Sequence, residues 1–194
     1  ILTLLINVFL VLPGFPLAIV LAAYVPSKGP FTVAMVIALT SWAYGARVLR
    51  AQTLSMKHRD FVEASKSTGE LTWRIIFAEI LPNEIAIVAS GFVGTAIYVI
   101  LAAAGLEFLG LGDVTIVDWG TMFYWAQNND AILLGAWWWF VAPGACVAVL
   151  GAGLALINFG IDEIANPRLR KEKRLTRLAS SLSFFKARPT QSTE

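Results

Sequence analysis

The 194-residue chain is 57% hydrophobic and 14% charged, and its mean hydropathy is +0.69. Because a typical soluble domain carries about a quarter charged residues, this composition excludes an ordinary soluble protein. Charged residues are absent from positions 1–27 and 131–161, and uncharged apolar stretches of that length are typical of membrane spans. The sequence therefore predicts an integral membrane protein.

Four apolar segments predict four membrane-spanning helices and an all-α, polytopic transmembrane helical bundle. In chain order they cover about 1–25, 31–49, 84–105 and 133–159. Pro13, Gly14 and Pro16 interrupt the first segment, and such a break kinks a spanning helix. The last two segments are rich in Gly and Ala, which let helices approach closely in lipid. We assign residues 1–160 to this transmembrane domain and residues 161–194 to a basic tail.

The basic residues predict the orientation of the chain. Six Lys and Arg lie between positions 47 and 74, eight lie between 168 and 188, and the remaining one is Lys28. The segment 106–132 has four acidic residues and no Lys or Arg. By the positive-inside rule the basic segments are cytoplasmic, and 106–132 is then an outer loop. We expect a multi-pass protein of the plasma or inner membrane with both ends of this chain in the cytoplasm.

A charged segment at about 57–69 predicts a short helix at the cytoplasmic surface. Its charged residues recur at spacings of three, three and four, which places them on one stripe of a helix. Gly69 stands where a helix C-terminal cap favours a left-handed residue. The charged stripe is Asp60, Glu63, Lys66 and Glu70, and the opposite stripe is Phe61, Ala64, Ser65 and Thr68, with Val62 beside it.

The pattern alone leaves two interpretations of this helix open. It is either an amphipathic connector resting on the bilayer interface or an element that docks in a groove of a partner protein. One Phe and one Val make a thin apolar face for anchoring in lipid. The small residues allow a close fit to a protein surface, which favours docking.

Residues 63–83, with the sequence EASKSTGELTWRIIFAEILPN, resemble the cytoplasmic loop signature of ABC importer permeases. In that signature Glu-Ala-Ala is followed by three residues, a Gly, nine residues and then Ile-x-Leu-Pro. The matching residues are Glu63, Ala64, Gly69, Leu81 and Pro82, and the departures are Ser65 and Glu79.

Five further stretches are similar to the dipeptide and oligopeptide branch of these permeases, so the resemblance covers about residues 11–170. It implies the C-terminal part of a six-span permease, preceded by two further spans. It also implies a non-catalytic subunit that forms half of the pathway for peptides in a binding-protein-dependent importer. The stretches are residues 46–65, LEFLGLG (106–112), WGTMF (119–123), Pro143–Gly144 and NFGIDEIANPRLR (158–170).

The same resemblance implies partners and a role for the charged helix. The helix is similar to the coupling helix, which seats in a cleft of an ATP-hydrolysing subunit and drives alternating access of the bundle. The implied partners are a second permease subunit, two nucleotide-binding subunits that hold ATP and Mg, an extracytoplasmic solute-binding protein and membrane lipid, but no nucleic acid. We expect no cofactor, metal site or catalytic residue in this chain. The implied coupling residues are Arg59, Asp60, Glu63, Ala64, Ser65, Gly69 and Pro82.

A second candidate site lies in the outer loop. Its aromatic residues belong either to the aromatic belt of the membrane interface or to a surface that contacts the solute-binding protein or gates the pathway. The candidate residues are Trp119, Tyr124, Trp125, Gln127 and Asn128.

Other functions remain as alternatives. Relatives of this branch also import oligosaccharides or metal chelates, and an aromatic-rich outer loop suits sugar stacking as well as peptide binding. An unrelated channel or membrane enzyme is a third possibility, but an enzyme needs His, Asp, Glu or Ser groups that converge on a site, and the sequence indicates none. No charged residue is placed deep in a predicted span, which argues against a secondary transporter.

Overall fold

The computed structural model describes residues 1–165, with side chains to residue 163, and this part of the chain has helices and turns but no strand. The all-α prediction is therefore confirmed for it. Most of the predicted basic tail, 161–194, lies outside the described residues. The elements are α1 (Leu2–Val11), α2 (Gly14–Tyr24), α3 (Pro30–Met56), α4 (Asp60–Ser67), α5 (Thr72–Arg74), a π-helical turn (Ile75–Ile80), α6 (Leu81–Phe108), α7 (Trp119–Asn128) and α8 (Trp138–Ala165).

Three helical stretches of the described residues are long and apolar enough to cross a membrane. They are α3 with 27 residues, Thr72–Phe108 with 37 residues, and the Trp138–Glu163 part of α8 with 26 residues. At about 1.5 Å per residue, each exceeds the roughly 30 Å hydrocarbon core. The chain thus has the helices of a multi-pass membrane protein. α8 begins later than the apolar pattern suggests, after a turn in which Gly135 has a φ of +73°.

The first apolar segment is a broken helix pair. α1 and α2 meet at 90° across Leu12 and Pro13, both of which have extended backbone. Pro13 has no N–H with which to continue α1, but it is tolerated at the start of α2, where that N–H has no helical partner. The pair is one broken span or a re-entrant loop, so the count of four spans stays a prediction.

The core lies where α2 packs between α3 and α6. Its α2 members are both Ala, and the short side chains let α2 approach the larger residues of its neighbours. Phe15 extends this contact, because its ring lies against Gly105 of α6 at a point where a Cβ would be 2.9 Å from the ring. The buried residues, each at most 4% exposed, are Ala18, Ala22, Val33, Val36, Ile37, Ala102 and Leu106.

Large apolar side chains cover the outside of the bundle. Phe92 on α6 is 75% exposed and Phe159 on α8 is 70% exposed. Exposure of so many large apolar side chains is typical of surfaces that contact lipid or another protein. Three exposed Trp residues, 137–139, stand where α8 begins, as in the aromatic belt of a membrane interface.

Candidate functional site

The charged segment folds into α4, an eight-residue helix between the two long helices α3 and α6. Asp60 and Glu63 occupy its first turn and Lys66 its last turn. This distribution of charge opposes the helix dipole at both ends and stabilises the helix. A helix of this length is marginal alone, so its stability depends on its ends and its packing.

The C-terminus of α4 closes with a Schellman motif. Gly69 has a φ of +78°, which confirms the left-handed conformation expected there. Its N–H donates to Lys66 O at 3.1 Å, and the Glu70 N–H donates to Ser65 O at 3.2 Å. These two bonds satisfy carbonyl groups that the end of a helix otherwise leaves unpaired. The chain therefore leaves α4 in a fixed direction.

Val62 attaches α4 to the rest of the protein. It is 0% exposed and packs against Ile75 and Ile80 of the π-helical turn, with Met56 of α3 at the edge. We call these four residues the Val62 cluster. The sequence pattern places Val62 beside the apolar stripe. In the structure Val62 is the residue that packs α4 against the π-helical turn.

The stripe of α4 that contains Phe61 and the small residues is largely exposed to solvent or to a partner. Phe61 is 37% exposed, and Ala64 and Thr68 are exposed as well, while Ser65 is half-buried. Arg59, Asp60, Glu63 and Gly69 are exposed on the same short segment. The structure thus brings six of the seven sequence-predicted coupling residues together around one helix. Pro82 lies apart from them, exposed in the first turn of α6, two residues after Ile80.

Glu84 is a buried carboxyl group that the sequence reasoning missed. It is 4% exposed, and the Thr53 hydroxyl of α3 donates to its Oε2 at 3.2 Å. Within the described residues its Oε1 has no hydrogen-bond partner. The apolar pattern placed Glu84 at the edge of a span, but its position one turn after buried Ile80 puts both on one helix face. Glu84 therefore joins α3 to α6 next to the Val62 cluster.

The predicted outer loop contains a ten-residue helix, α7, which packs against α6 and α8. Asp118 and Thr121 form a capping box: the Thr121 N–H donates to Asp118 Oδ1 at 2.7 Å, and the Asp118 N–H donates to Thr121 Oγ1 at 3.0 Å. Such reciprocal bonds fix the start of a helix. Before the capping box, Asp113 accepts bonds from the Thr115 hydroxyl and N–H, which lower the pKa of that carboxyl group.

Two glycines let α7 lie directly on the end of α6. A Cβ on Gly120 would be 2.9 Å from the Ala104 Cα and 2.6 Å from the Glu107 Cβ, and a Cβ on Gly112 would be 2.7 Å from the Glu107 Cγ. Contacts this short have no room for a side chain. Glu107 is therefore enclosed by both glycines, and its carboxyl group lies beside that of Asp118. No sequence pattern singles out Glu107, because its contacts with Gly112 and Gly120 arise only from tertiary packing.

The sequence-predicted outer residues all lie on α7. Trp119, Trp125, Gln127 and Asn128 are exposed, and Tyr124 is half-buried. The rings of Tyr124 and Trp125 meet edge to face at 5.3 Å.

Trp125 also borders a cleft beside α7. Its Nε1 donates to Val114 O at 3.0 Å, which fixes the indole against the segment before α7. The cleft has a volume of about 450 Å³, and Trp138, Trp139 and Met122 line it together with Trp125. Aromatic rings beside apolar side chains suit an uncharged, partly apolar group better than a charged one.

The long apolar helices are those of a multi-pass membrane protein, and comparison with known proteins identifies its family. The chain belongs to the family described as binding-protein-dependent transport system inner membrane component, whose model matches residues 1–171. It is a multi-pass membrane protein of that family.

Several named relatives are permease proteins of peptide transport systems. A protein of Brucella abortus biovar 1 (strain 9-941), provisionally named a peptide transport system permease protein, is 34% identical over 88% of this chain. The oligopeptide transport system permease protein OppC of Bacillus subtilis (strain 168) is 30% identical over 82% of the chain, and the dipeptide transport system permease protein DppC of the same strain is 31% identical over 83%. The matches span 57%, 51% and 51% of the relatives' own lengths. The chain thus spans about half the length of these relatives.

Proposed function

We propose that this chain is part of the permease subunit of a binding-protein-dependent ABC importer for peptides. The observation that carries the proposal is the exposed stripe of α4, formed by Phe61, Ala64 and Thr68, on a helix that Val62 anchors from the other side. An exposed apolar and small-residue stripe with rigid ends fits the helix-in-groove mode of protein recognition. Family membership and the peptide transport names of the relatives support the rest.

In this proposal α4 couples the bundle to ATP hydrolysis by a partner subunit. Phe61 enters the cleft of the nucleotide-binding subunit, and Arg59, Asp60 and Glu63 meet polar groups at its rim. When ATP closes the two nucleotide-binding subunits, α4 moves with them. The Val62 cluster transfers that movement to α3 through Met56 and to α6 through Ile80, and the bundle changes between inward-open and outward-open states. This chain forms half of the pathway, a second permease subunit forms the other half, and neither hydrolyses ATP.

In this proposal the outer loop contacts the solute-binding protein, on the opposite side of the membrane from α4. We infer that α7 faces the extracytoplasmic side, where Trp119, Gln127 and Asn128 contact the solute-binding protein. The inference is supported by the absence of Lys and Arg from residues 106–132, which the positive-inside rule associates with the outer side, and by the exposure of these side chains on a capped, well-packed helix. The cleft bordered by Trp125 accepts an apolar group of the docking protein or of the peptide.

Cross-linking combined with uptake tests the proposal. The full-length permease, with Cys146 replaced by Ala, is assembled with its nucleotide-binding and second permease subunits in proteoliposomes. We expect a Phe61→Cys variant to cross-link to a nucleotide-binding subunit, and we expect a control variant, Val117→Cys at an 89% exposed outer position, not to do so. Labelled oligopeptide supplied with its solute-binding protein should enter only with ATP. Uptake without ATP would indicate a channel, and ATP-dependent uptake of an oligosaccharide or metal chelate in place of peptide would overturn the substrate.

A further inference from the structure

Two hydrogen-bonded pairs of polar side chains join α1 to α3, and we call these four side chains the polar ladder. Arg47 donates from Nη2 to Asn7 Oδ1 at 2.9 Å, and Arg50 donates from Nη1 to the Thr3 hydroxyl. Thr3 and Asn7 are four residues apart on α1, while Arg47 and Arg50 are three apart on α3, so each pair lies on one helix face. The four side chains therefore form a continuous polar surface.

The positive charge of this ladder is uncompensated within the described residues. Among these residues an ion pair joins Glu70 to Arg74, whereas Arg47 and Arg50 contact the neutral oxygen atoms of Asn7 and Thr3. A guanidinium group has five N–H donors and no acceptor, and each of these arginines uses one donor in the contacts described above. Both side chains are exposed. Two adjacent guanidinium groups therefore present free donors outward.

The ladder lies at the depth of lipid headgroups. α3 starts at Pro30 and carries no charged residue before Arg47. Arg50 is 20 positions after Pro30, a rise of about 30 Å, which equals the thickness of the hydrocarbon core. The surrounding surface of α1 is apolar: Leu4 is 68% exposed, Leu5 is 45% exposed and Val8 is 51% exposed. Acyl chains can thus lie along α1 while a headgroup reaches the arginines.

We propose that Arg47 and Arg50, with Asn7 and Thr3, bind the headgroup phosphate of an anionic phospholipid at the inner boundary of the membrane. Guanidinium forks match the geometry of phosphate oxygens and form bidentate, charge-assisted hydrogen bonds. Basic pockets between membrane helices on the cytoplasmic side bind anionic headgroups in this way. A zwitterionic lipid is a weaker ligand, because its own cation lies close to the two guanidinium groups. The site is separate from the transport activity proposed above and needs neither ATP nor a partner subunit.

Retention of lipid on the purified protein tests this site. The full-length permease is reconstituted into bilayers of phosphatidylcholine and phosphatidylglycerol in equal parts and extracted in mild detergent, and its bound lipids are counted by native mass spectrometry. We expect the wild-type protein to retain phosphatidylglycerol in preference to phosphatidylcholine. The double variant Arg47→Gln, Arg50→Gln should lower that preference by about thirtyfold, since each basic group near an anionic surface contributes about 1 kcal/mol. Each single variant should lower it by about fivefold.

The matched control is the double variant Lys57→Gln, Arg74→Gln, which removes the same charge from the same region of the chain. It should keep the wild-type preference. Equal loss in control and test variants would mean bulk attraction of charge and would overturn the site, as would unchanged preference in the test variants. If the test double variant does not insert, the two single variants decide by the same criterion. Displacement of the bound lipid by excess inorganic phosphate would identify a free anion as the ligand and would also overturn the proposal.

Discussion

At Gly69 a substitution strains the backbone without crowding a neighbouring residue. Its φ is +78°, yet among the described residues a Cβ placed on it would meet no heavy atom within 4 Å beyond its two chain neighbours. A β-branched side chain there is strained by about 1–2 kcal/mol or more, which tilts the exit from α4 without displacing any neighbour. We expect Gly69→Val to insert normally and to lose most ATP-dependent uptake in proteoliposomes that contain the nucleotide-binding subunits.

Two variants serve as controls for that result. Gly69→Asn should keep most of the uptake, because Asn tolerates the left-handed conformation. Glu63→Ala should cause a small loss, since an exposed charge at an interface rim contributes about 1 kcal/mol or less. Full uptake in Gly69→Val would show that α4 is a passive connector resting on the bilayer.

Gly120 is limited by space instead of by backbone conformation. A Cβ there would be 2.9 Å from the Ala104 Cα, a backbone atom that cannot move alone. We expect Gly120→Ala to destabilise the protein by about 1–3 kcal/mol, as overpacking does, and to lower the midpoint of thermal unfolding in detergent, followed by Trp fluorescence.

Gly153→Ala is the matched control for this prediction. Gly153 lies within α8, and among the described residues an added Cβ would meet no heavy atom within 4 Å apart from the adjacent backbone of its own helix. The same substitution should therefore raise stability by about 0.4–1 kcal/mol. If Gly120→Ala lowered the free energy of unfolding no more than Gly153→Ala does, that result would contradict the close contact between α6 and α7.

Individual residues also show how far the sequence is informative. The left-handed conformation of Gly69 could be predicted, because a cap is encoded by neighbouring residues. Glu84 and Glu107 could not be singled out, because the burial of Glu84 depends on Thr53 of a distant helix and the enclosure of Glu107 depends on Gly112 and Gly120. The apolar pattern predicts which segments lie in lipid. It does not predict which carboxyl group becomes buried when a second helix packs against it.

At the scale of elements, the long apolar helices follow from composition, whereas the short helices do not. The sequence predicts an outer loop at 106–132, whereas the structure forms the helix α7 within it. Its signal was the local one, Asp118 three residues before Thr121, which forms the capping box. In α4 the reverse holds: periodicity predicts the helix, but a single buried residue, Val62, decides which side faces the protein.

The capping box gives α7 a testable dependence on one side chain. Asp118→Ala removes the acceptor for the Thr121 N–H and should destabilise the start of α7 by about 0.5–2 kcal/mol. Asp118→Asn keeps an acceptor and should behave nearly as the wild-type protein. Hydrogen exchange of the amides in residues 119–122 should therefore be faster in the Ala variant alone. Equally fast exchange in both variants would assign the effect to the loss of charge beside Glu107.

At the scale of the whole molecule, the arrangement of charge predicts that α4 and α7 lie on opposite sides of the membrane. The full-length protein with Cys146 replaced by Ala provides a background without the exposed native thiol. In sealed, right-side-out vesicles, an impermeant maleimide should label an Asn128→Cys variant directly and a Lys66→Cys variant only after permeabilisation. The opposite labelling pattern would reverse the topology.

The π-helical turn determines the direction in which α4 faces. Ile75 and Ile80 are five residues apart, and in a regular α-helix they would point about 140° away from each other. The π-helical turn bonds over five residues and brings both against Val62. The number of residues between Gly69 and Pro82 thus specifies an angle as well as a distance. Loss of one residue from this interval would shorten the chain very little, yet it would rotate the anchoring face by about 100° and turn α4 away from any subunit beneath it.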